Sequence, residues 1–212
     1  MVRLGIRLPL QAEPATPGGR LRVALPTPSG LSQGWLDDNA NLTRGFPALT
    51  RAAVITRALS LLGSPYGWGG VGGTRDCSRL MMDLFGGFGL LLPRNSWMQS
   101  RSGVRQLDVS TLDDQAKARA IQAAAQDAVV LLYMKGHIML YVGQDGDHLY
   151  AMHLFSGYLR PCDGGGETMM RANRALVSSL ELGRGSSRKA FIQRISTLVV
   201  LGGETSTEEA AP

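Results

Sequence analysis

The chain has 212 residues, 22 basic against 17 acidic, and a sequence pI near 9.6. Its hydrophobic content of 44% is that of a globular protein with a real core, which excludes a disordered chain, and no apolar run approaches the ~20 residues a membrane-spanning helix needs. No basic run interleaved with aromatics is present, so a nucleic-acid partner is not expected and the mild positive charge reads as an ordinary soluble surface.

Residues 1–48 are punctuated by Pro9, Pro14, Pro17, Pro26, Pro28 and Pro47, with short apolar pieces between them. Alternation in Val2–Leu8 and Leu21–Leu25 predicts short strands and turns, with no room for a helix. Pro9 arrives before any apolar stretch of signal-peptide length, so the chain as written is expected in the cytoplasm, or in the cell envelope or periplasm if a segment precedes it. From Thr50 the pattern turns helical: Thr50 caps, Val54, Ile55, Ala58, Leu59 and Leu62 form a stripe, and Gly63 ends the helix. A glycine-rich loop, SPYGWGGVGGTR, leads to a second helical stretch, DCSRLMMDLFGGFG. It is not a phosphate loop, because the Gly-Lys-Ser/Thr ending is missing. LPRNSWMQS and a helix-prone insert, DDQAKARAIQAAAQD, follow, and then the strand-like runs AVVLLYMKG, HIMLYVG and HLYAMHLF. SSRKAFIQRISTLVVLGG is helix-like in its first half and ambiguous in its second, and the acidic tail ETSTEEAAP is expected to be disordered. The order is α+β, with helices on an antiparallel sheet. Three parts are expected: a β-rich segment 1–48, a main domain 49–203 and the tail 204–212.

Chemistry concentrates on few residues. Cys77 follows the glycine loop at the first turn of the second helix, with Asp76 as its cap; a helix N-terminus favours thiolate and offers N–H donors to an oxyanion. A thiolate needs a base, and the chain has three histidines: His137, His148 and His153. A three-residue turn, Gln144-Asp145-Gly146, would place His137 directly opposite His153. His137, Met139, Tyr141, Leu149, Ala151 and His153 would then share one face, with His148 opposite Val142 on the other. A two-residue Asp-Gly turn would slip the register and separate the two histidines. Under the first arrangement His137 is the base and His153 its orienter; the competing reading is two structural histidines or a weak metal pair. Tyr66 and Trp68 read either as loop packing or as site residues. Cys162, in RPCDGGG, has no base beside it and reads as an incidental thiol; with only two cysteines, neither a disulfide framework nor a four-ligand zinc site is expected.

The blocks LGSPYGWGGVGGTRDCSRL, LPRNSWMQ and GHIMLYVG together resemble the NlpC/p60 family of papain-like cysteine peptidases, from about Leu62 to His153. The resemblance implies a papain-like fold, Cys77 as nucleophile, His137 as base, His153 in the third position and Tyr66 beside the nucleophile, with neither metal nor organic cofactor. It implies murein stem peptides as partners, L-Ala-γ-D-Glu-diamino acid, cleaved at the γ-D-glutamyl–diamino acid bond, with Asp76, Ser78, Ser96 and Trp68 toward substrate. Residues 1–48 resemble the end of an SH3-like barrel of the kind that precedes the catalytic domain in one branch. Arg79 stands where much of the family has glycine, and its charge could tune substrate choice. Alternatives of the same fold are an amidase or acyltransferase on another substrate, and a non-catalytic murein-binding remnant.

Overall fold

A computed structural model describes residues 6–11, 20–37 and 42–202. The first element is a hairpin of β1 (Arg20–Thr27) and β2 (Gly30–Asp37), with Leu10 bridged to Val23 alongside it. The strand expected over Leu21–Leu25 is therefore present. Residues 1–5, part of the expected run Val2–Leu8, and the tail from residue 203 lie outside the described residues, and Ile6–Leu8 form no strand.

Helix α1 (Arg51–Leu59) starts at Thr50, whose hydroxyl accepts from the Ala53 N–H at 3.2 Å. It buries a narrower stripe than the apolar spacing suggests: Val54 and Ala58 are buried, while Leu59 and Leu62 are exposed. The helix stops at Leu59, and the turns up to Gly63 carry the chain onto a distant strand, where Gly63 N–H donates to Ala175 O. Helix α2 (Cys77–Gly86) is capped by Asp76, whose carboxylate accepts from the Arg79 N–H at 2.8 Å. The short α3 (Ser96–Gln99) is capped by Asn95.

Six antiparallel strands form the sheet: β3 (Arg105–Asp108), β4 (Val129–Met134), β5 (His137–Asp145), β6 (His148–Pro161), β7 (Glu167–Ser179) and β8 (Thr197–Leu201), in the order β3-β8-β4-β5-β6-β7. Both faces are covered. Ile138 and Leu140 of β5 pack with Leu80, Met81, Leu84 and Phe85 of α2. Met139 and Tyr141 pack on the other face with Ile121 of α4 (Asp114–Ala124) and Phe191 of the one-turn helix α5 (Phe191–Arg194). This is the expected α+β fold. Burying each of these large side chains contributes about 2 kcal/mol.

Three expectations change. The edge strand β3 and the whole of β7 were not anticipated, because Arg105–Asp108 and much of Glu167–Ser179 are polar and exposed and lack an apolar alternation. The helix-like C-terminal piece folds as one turn and then β8, because Leu198, Val199 and Val200 fill the sheet between β4 and β3. The insert helix forms as read, but Lys117 and Ile121 are buried, so it is part of the core layer and not only a surface helix. Lys117 Nζ donates to Gln193 O at 3.0 Å and ties α4 to α5. No helix among the described residues is long and apolar enough to cross a membrane.

Gln99 fastens the loop before α3 to α2. Fully buried, it donates through Nε2 to Ser78 O at 2.9 Å and to Pro93 O at 2.7 Å. Gln99→Met keeps the volume but strands two carbonyls, so a loss of about 2 kcal/mol is expected in urea unfolding, with an unchanged circular dichroism spectrum. A loss under about 0.5 kcal/mol would show that water replaces the amide.

Candidate active site

The two histidines meet by a route the sequence did not announce. The β5–β6 turn is two residues, Gly146-Asp147, with Asp145 opposite His148, and not the three-residue turn expected. His148 therefore faces Asp145 rather than Val142. That register alone would put the wrong faces together. However, a β-bulge makes Val142 an extra residue: Gly143 lies opposite Tyr150, yet Tyr141 lies opposite Ala151 and Leu140 opposite Met152. The slip restores the shared face. His137 and His153 are consequently diagonal neighbours, not direct partners, and His153 lies within β6 rather than at its end.

His137 Nε2 and His153 Nδ1 are 2.8 Å apart, and His153 Nε2 is 2.9 Å from Ser178 Oγ on β7. The Ser178 hydroxyl donates its one proton to Ser179 O, so it accepts from His153 Nε2–H. His153 Nδ1 is then the acceptor, His137 Nε2–H the donor, and His137 Nδ1 is left with a free lone pair. Ser178 is a residue the sequence reading missed; a serine in an unrecognised strand carries no signal of its own. The metal-pair alternative does not fit, since the two ring nitrogens hydrogen-bond each other directly and are closer than two ligands around one ion at ~2.0 Å each would normally sit.

Aromatic rings fix both imidazoles. His153 stacks on Phe155 with centroids 4.2 Å apart, and Phe191 meets His153 edge-on at 4.9 Å. Burial, and then the charge of Arg194, push His137 down to about 3; burial and neighbouring His137 push His153 well below its ordinary value. Both rings rest neutral.

Cys77 lies at the first turn of α2 and lines one cavity of about 420 Å³ with His137, Tyr66, Trp68, Asp76, Ser78 and Ser96. All the expected site residues except His153 thus line one space; His153 is buried behind His137. The thiol lies against the Ile138 N–H, next along from His137, and near the N–H groups of Cys77 and Ser78, which favour its charged form. Burial outweighs them, and with the negative Asp76 nearby the thiol is pushed up. The expected resting thiolate is therefore corrected: desolvation wins over the helix N-terminus, and the resting pair is thiol and imidazole.

Asp76 is more engaged than its role as a cap suggested. Burial would raise its carboxyl, but hydrogen bonds from Arg94, the Arg79 N–H and the Ser78 hydroxyl hold it below the usual range. Arg94 donates to both Asp76 oxygens, at 2.7 and 3.1 Å, and to Ser78 Oγ at 3.0 Å. Asp76 therefore reaches the cavity as half of an ion pair rather than as a free carboxylate. Arg94 lay in the quoted Leu-Pro-Arg block but was not singled out. Arg79 turns to Asp83, as does Arg75, at 2.7 and 2.8 Å. The loop before Cys77 is held along β7, with Tyr66 N–H donating to Asn173 O at 3.0 Å. Gly70 sits at φ +74, a conformation glycine adopts readily, beside the Arg94 guanidinium and the aliphatic stem of Arg79. Burial, then the charges of Cys77 and Asp76, raise the Tyr66 phenol and keep it a donor. Trp68 is 81% exposed at the cavity's mouth. Cys162 is free and exposed at the β6–β7 turn, 3.2 Å from Thr168 Oγ1 and far along β6 from His153.

A profile of the NlpC/P60 family matches residues 63–193, more than half of the chain. The chain belongs to the NlpC/P60 family. Among solved structures, it is similar to an NlpC/P60 endopeptidase from Photobacterium damselae subsp. piscicida, at 15% identity and a TM-score of 0.69, over 93% of this chain and 52% of that one. It is also similar to an NlpC/P60 family protein from Bacillus cereus, at 24% identity and a TM-score of 0.54, over 92% of this chain and 53% of that one. These likenesses establish the fold. The chain spans about half the length of both. No curated protein sequence matches it.

The neutral histidines have a consequence for stability. Their folded values lie below the ordinary 6.5, so under that pH the unfolded chain binds protons the folded chain does not. Stability is full above about pH 6.5 and falls on acidification, by roughly 1.4 kcal/mol per pH unit for each histidine. Urea midpoints between pH 7.5 and 4.5 should follow this, and His137→Gln should remove about half the slope. A flat profile would mean the rings take up protons without unfolding.

Proposed function

We propose that this protein is a cysteine peptidase of bacterial cell-wall peptides, cleaving the bond between the γ-carboxyl of D-glutamate and a diamino acid. The observation that carries the reading is the chain Cys77, His137, His153, Ser178, with its first two members open to one cavity. Membership in the NlpC/P60 family, a family of cysteine peptidases, supports the reaction class. The His137–His153–Ser178 hydrogen bonds, with Cys77 and His137 lining the same cavity, support catalysis over a binding remnant.

As Cys77 Sγ attacks the amide carbon, its proton passes to the free Nδ1 of His137. Because both groups rest neutral, His137 acts as a general base within the step rather than through a preformed ion pair. His153 accepts from Nε2–H and steadies the imidazolium, while Ser178 holds His153 in the tautomer that can accept. The oxyanion takes N–H groups at the start of α2, and Tyr66 supplies a further donor. His137 then protonates the leaving amine, the C–N bond breaks, and a thioester remains. Water attacks that thioester as His137 takes its proton, releasing the acid and restoring the thiol. In this reading the β1–β2 hairpin is the end of an SH3-like barrel, supported by its antiparallel pairing and the Leu10–Val23 bridge.

Mass spectrometry of L-Ala-γ-D-Glu-meso-diaminopimelate incubated with the protein should show free diaminopimelate. Cys77→Ala should release none, and His137→Ala should be slower by about a thousandfold. Intact tripeptide with wild-type protein would remove this bond as the target.

Ser178→Ala leaves His153 Nε2–H without its acceptor and frees the tautomer. A fall in kcat of about tenfold with KM unchanged is expected, equivalent to 1.4 kcal/mol. Should KM move instead, Ser178 acts on binding and not on the relay.

A further inference from the structure

The cavity is electrically lopsided. On the Cys77 side its charges are Asp76 and Arg94, which neutralise each other through two hydrogen bonds. On the His137 side it is lined by Arg188, Lys189 and Arg194, with no acidic partner for any of them among the described residues. Around Cys77, by contrast, Arg75, Arg79 and Arg94 each have a carboxylate oxygen within 2.8 Å. Burial, and then the neighbouring charge of Arg188, disfavour the charged form of Arg194, so this end of the cleft favours an anion.

Arg188 and Lys189 are exposed, Arg194 is half-buried, and the backbone that carries all three is held by the fold. The Arg194 guanidinium lies 5.8 Å from the centre of the Phe191 ring, the same ring that contacts His137 and His153. Lys189 has φ +62, one of two non-glycine residues with positive φ among the described residues, a conformation that costs about 1 kcal/mol and persists only where its surroundings impose it. The restraints are visible. Lys189 N–H donates to Ser186 O at 2.9 Å, Ala190 N–H to Gln193 Oε1 at 2.8 Å, and Phe191 N–H to Leu182 O at 3.3 Å. Gly183, at φ +88 on the cavity wall, lies so near that a Cβ there would come within 3.1 Å of Lys189 O.

The geometry points to an anion subsite formed by Arg188, Lys189 and Arg194, which receives the extra carboxylate of a leaving diamino acid that ends in a carboxyl group. The inference rests on the peptidase reading above and deepens it. In L-Ala-γ-D-Glu the acyl half carries one ammonium and one carboxylate, matching the neutral Asp76–Arg94 end. Diaminopimelate, once its first amine is in the amide, carries two carboxylates and one ammonium and matches the cationic end. Lysine in the same position carries one of each and has no second carboxylate to offer the cluster. A carboxylate held beside Arg194 also offsets the charge that opposes protonation of His137, so the subsite assists the base as well as selecting the substrate.

The test is calorimetric, on Cys77→Ala protein, with L-Ala-γ-D-Glu-meso-diaminopimelate and L-Ala-γ-D-Glu-L-Lys as the two probes. The diaminopimelate peptide should bind about 30-fold more tightly, and adding Arg188→Gln with Arg194→Gln should bring the ratio to within about threefold of unity. Arg184→Gln, which removes a surface arginine paired with Glu181 and Asp114, should leave the ratio unchanged. Equal binding of the two peptides, binding of neither, or a preference that survives in a double variant with a native circular dichroism spectrum overturns the subsite. The peptidase reading fails separately: a preserved 30-fold preference with no diaminopimelate released by wild-type protein leaves the subsite standing and removes the bond, whereas release with no preference does the reverse.

Discussion

Val142 adds one residue to β5 between the positions facing Ala151 and Tyr150, and the two histidines come within reach of each other because of it. Side chains alternate along a strand, so a slip of one residue turns every later side chain to the opposite face. A tight Gly146-Asp147 turn and a face shared by His137 and His153 are compatible only with such a slip. From that shared face follow the 2.8 Å contact of the rings, the handing on of the hydrogen bond to Ser178 and the free lone pair on His137. Met139, Tyr141 and Ala151 follow the same parity into the core, so the packing that stabilises the sheet also fixes the register of the two histidines.

The site joins elements that the chain keeps far apart. Cys77 comes from a helix start, His137 from the first position of a strand, His153 from the middle of the next and Ser178 from the end of a third. What aligns them is the layer of α2 against β5, where Leu80 and Leu84 pack with Ile138 and Leu140. Polar groups then set the fine position. Asp76 caps α2 and holds Arg94, and Gln99 ties the Pro93 carbonyl to that of Ser78, so the loop with Arg94 and Ser96 cannot drift from the thiol.

Desolvation governs the electrostatics. It raises the thiol of Cys77, lowers both imidazoles and leaves all three groups uncharged at rest. Fixed charge sits around them, paired with carboxylate on the Cys77 side and, among the described residues, without a carboxylate partner on the His137 side. Such a site has little to gain from ionising before a ligand arrives, and a negatively charged ligand on the cationic side moves the balance toward imidazolium.

Much of this was legible in the residues themselves. Thr50 and Asp76 announce their helices because a short oxygen-bearing side chain before an apolar stripe can bond the free N–H groups of the first turn. Cys77 after a glycine loop, with few histidines to choose from, identifies the nucleophile and base as candidates, and the motif blocks around them identify the family. Local pattern fails where the determining contact is distant. Arg105–Asp108 and Glu167–Ser179 are strands because a neighbouring strand takes up their backbone hydrogen bonds, which no alternation in their own sequence records. Thr197–Leu201 reads ambiguously until it is seen between β4 and β3. The sequence by itself determined which groups could react, since that depends on residue type and on nearest neighbours along the chain. Only the tertiary structure decided their protonation, their tautomers and the cations facing them, because burial and through-space charge arise only when distant segments pack together.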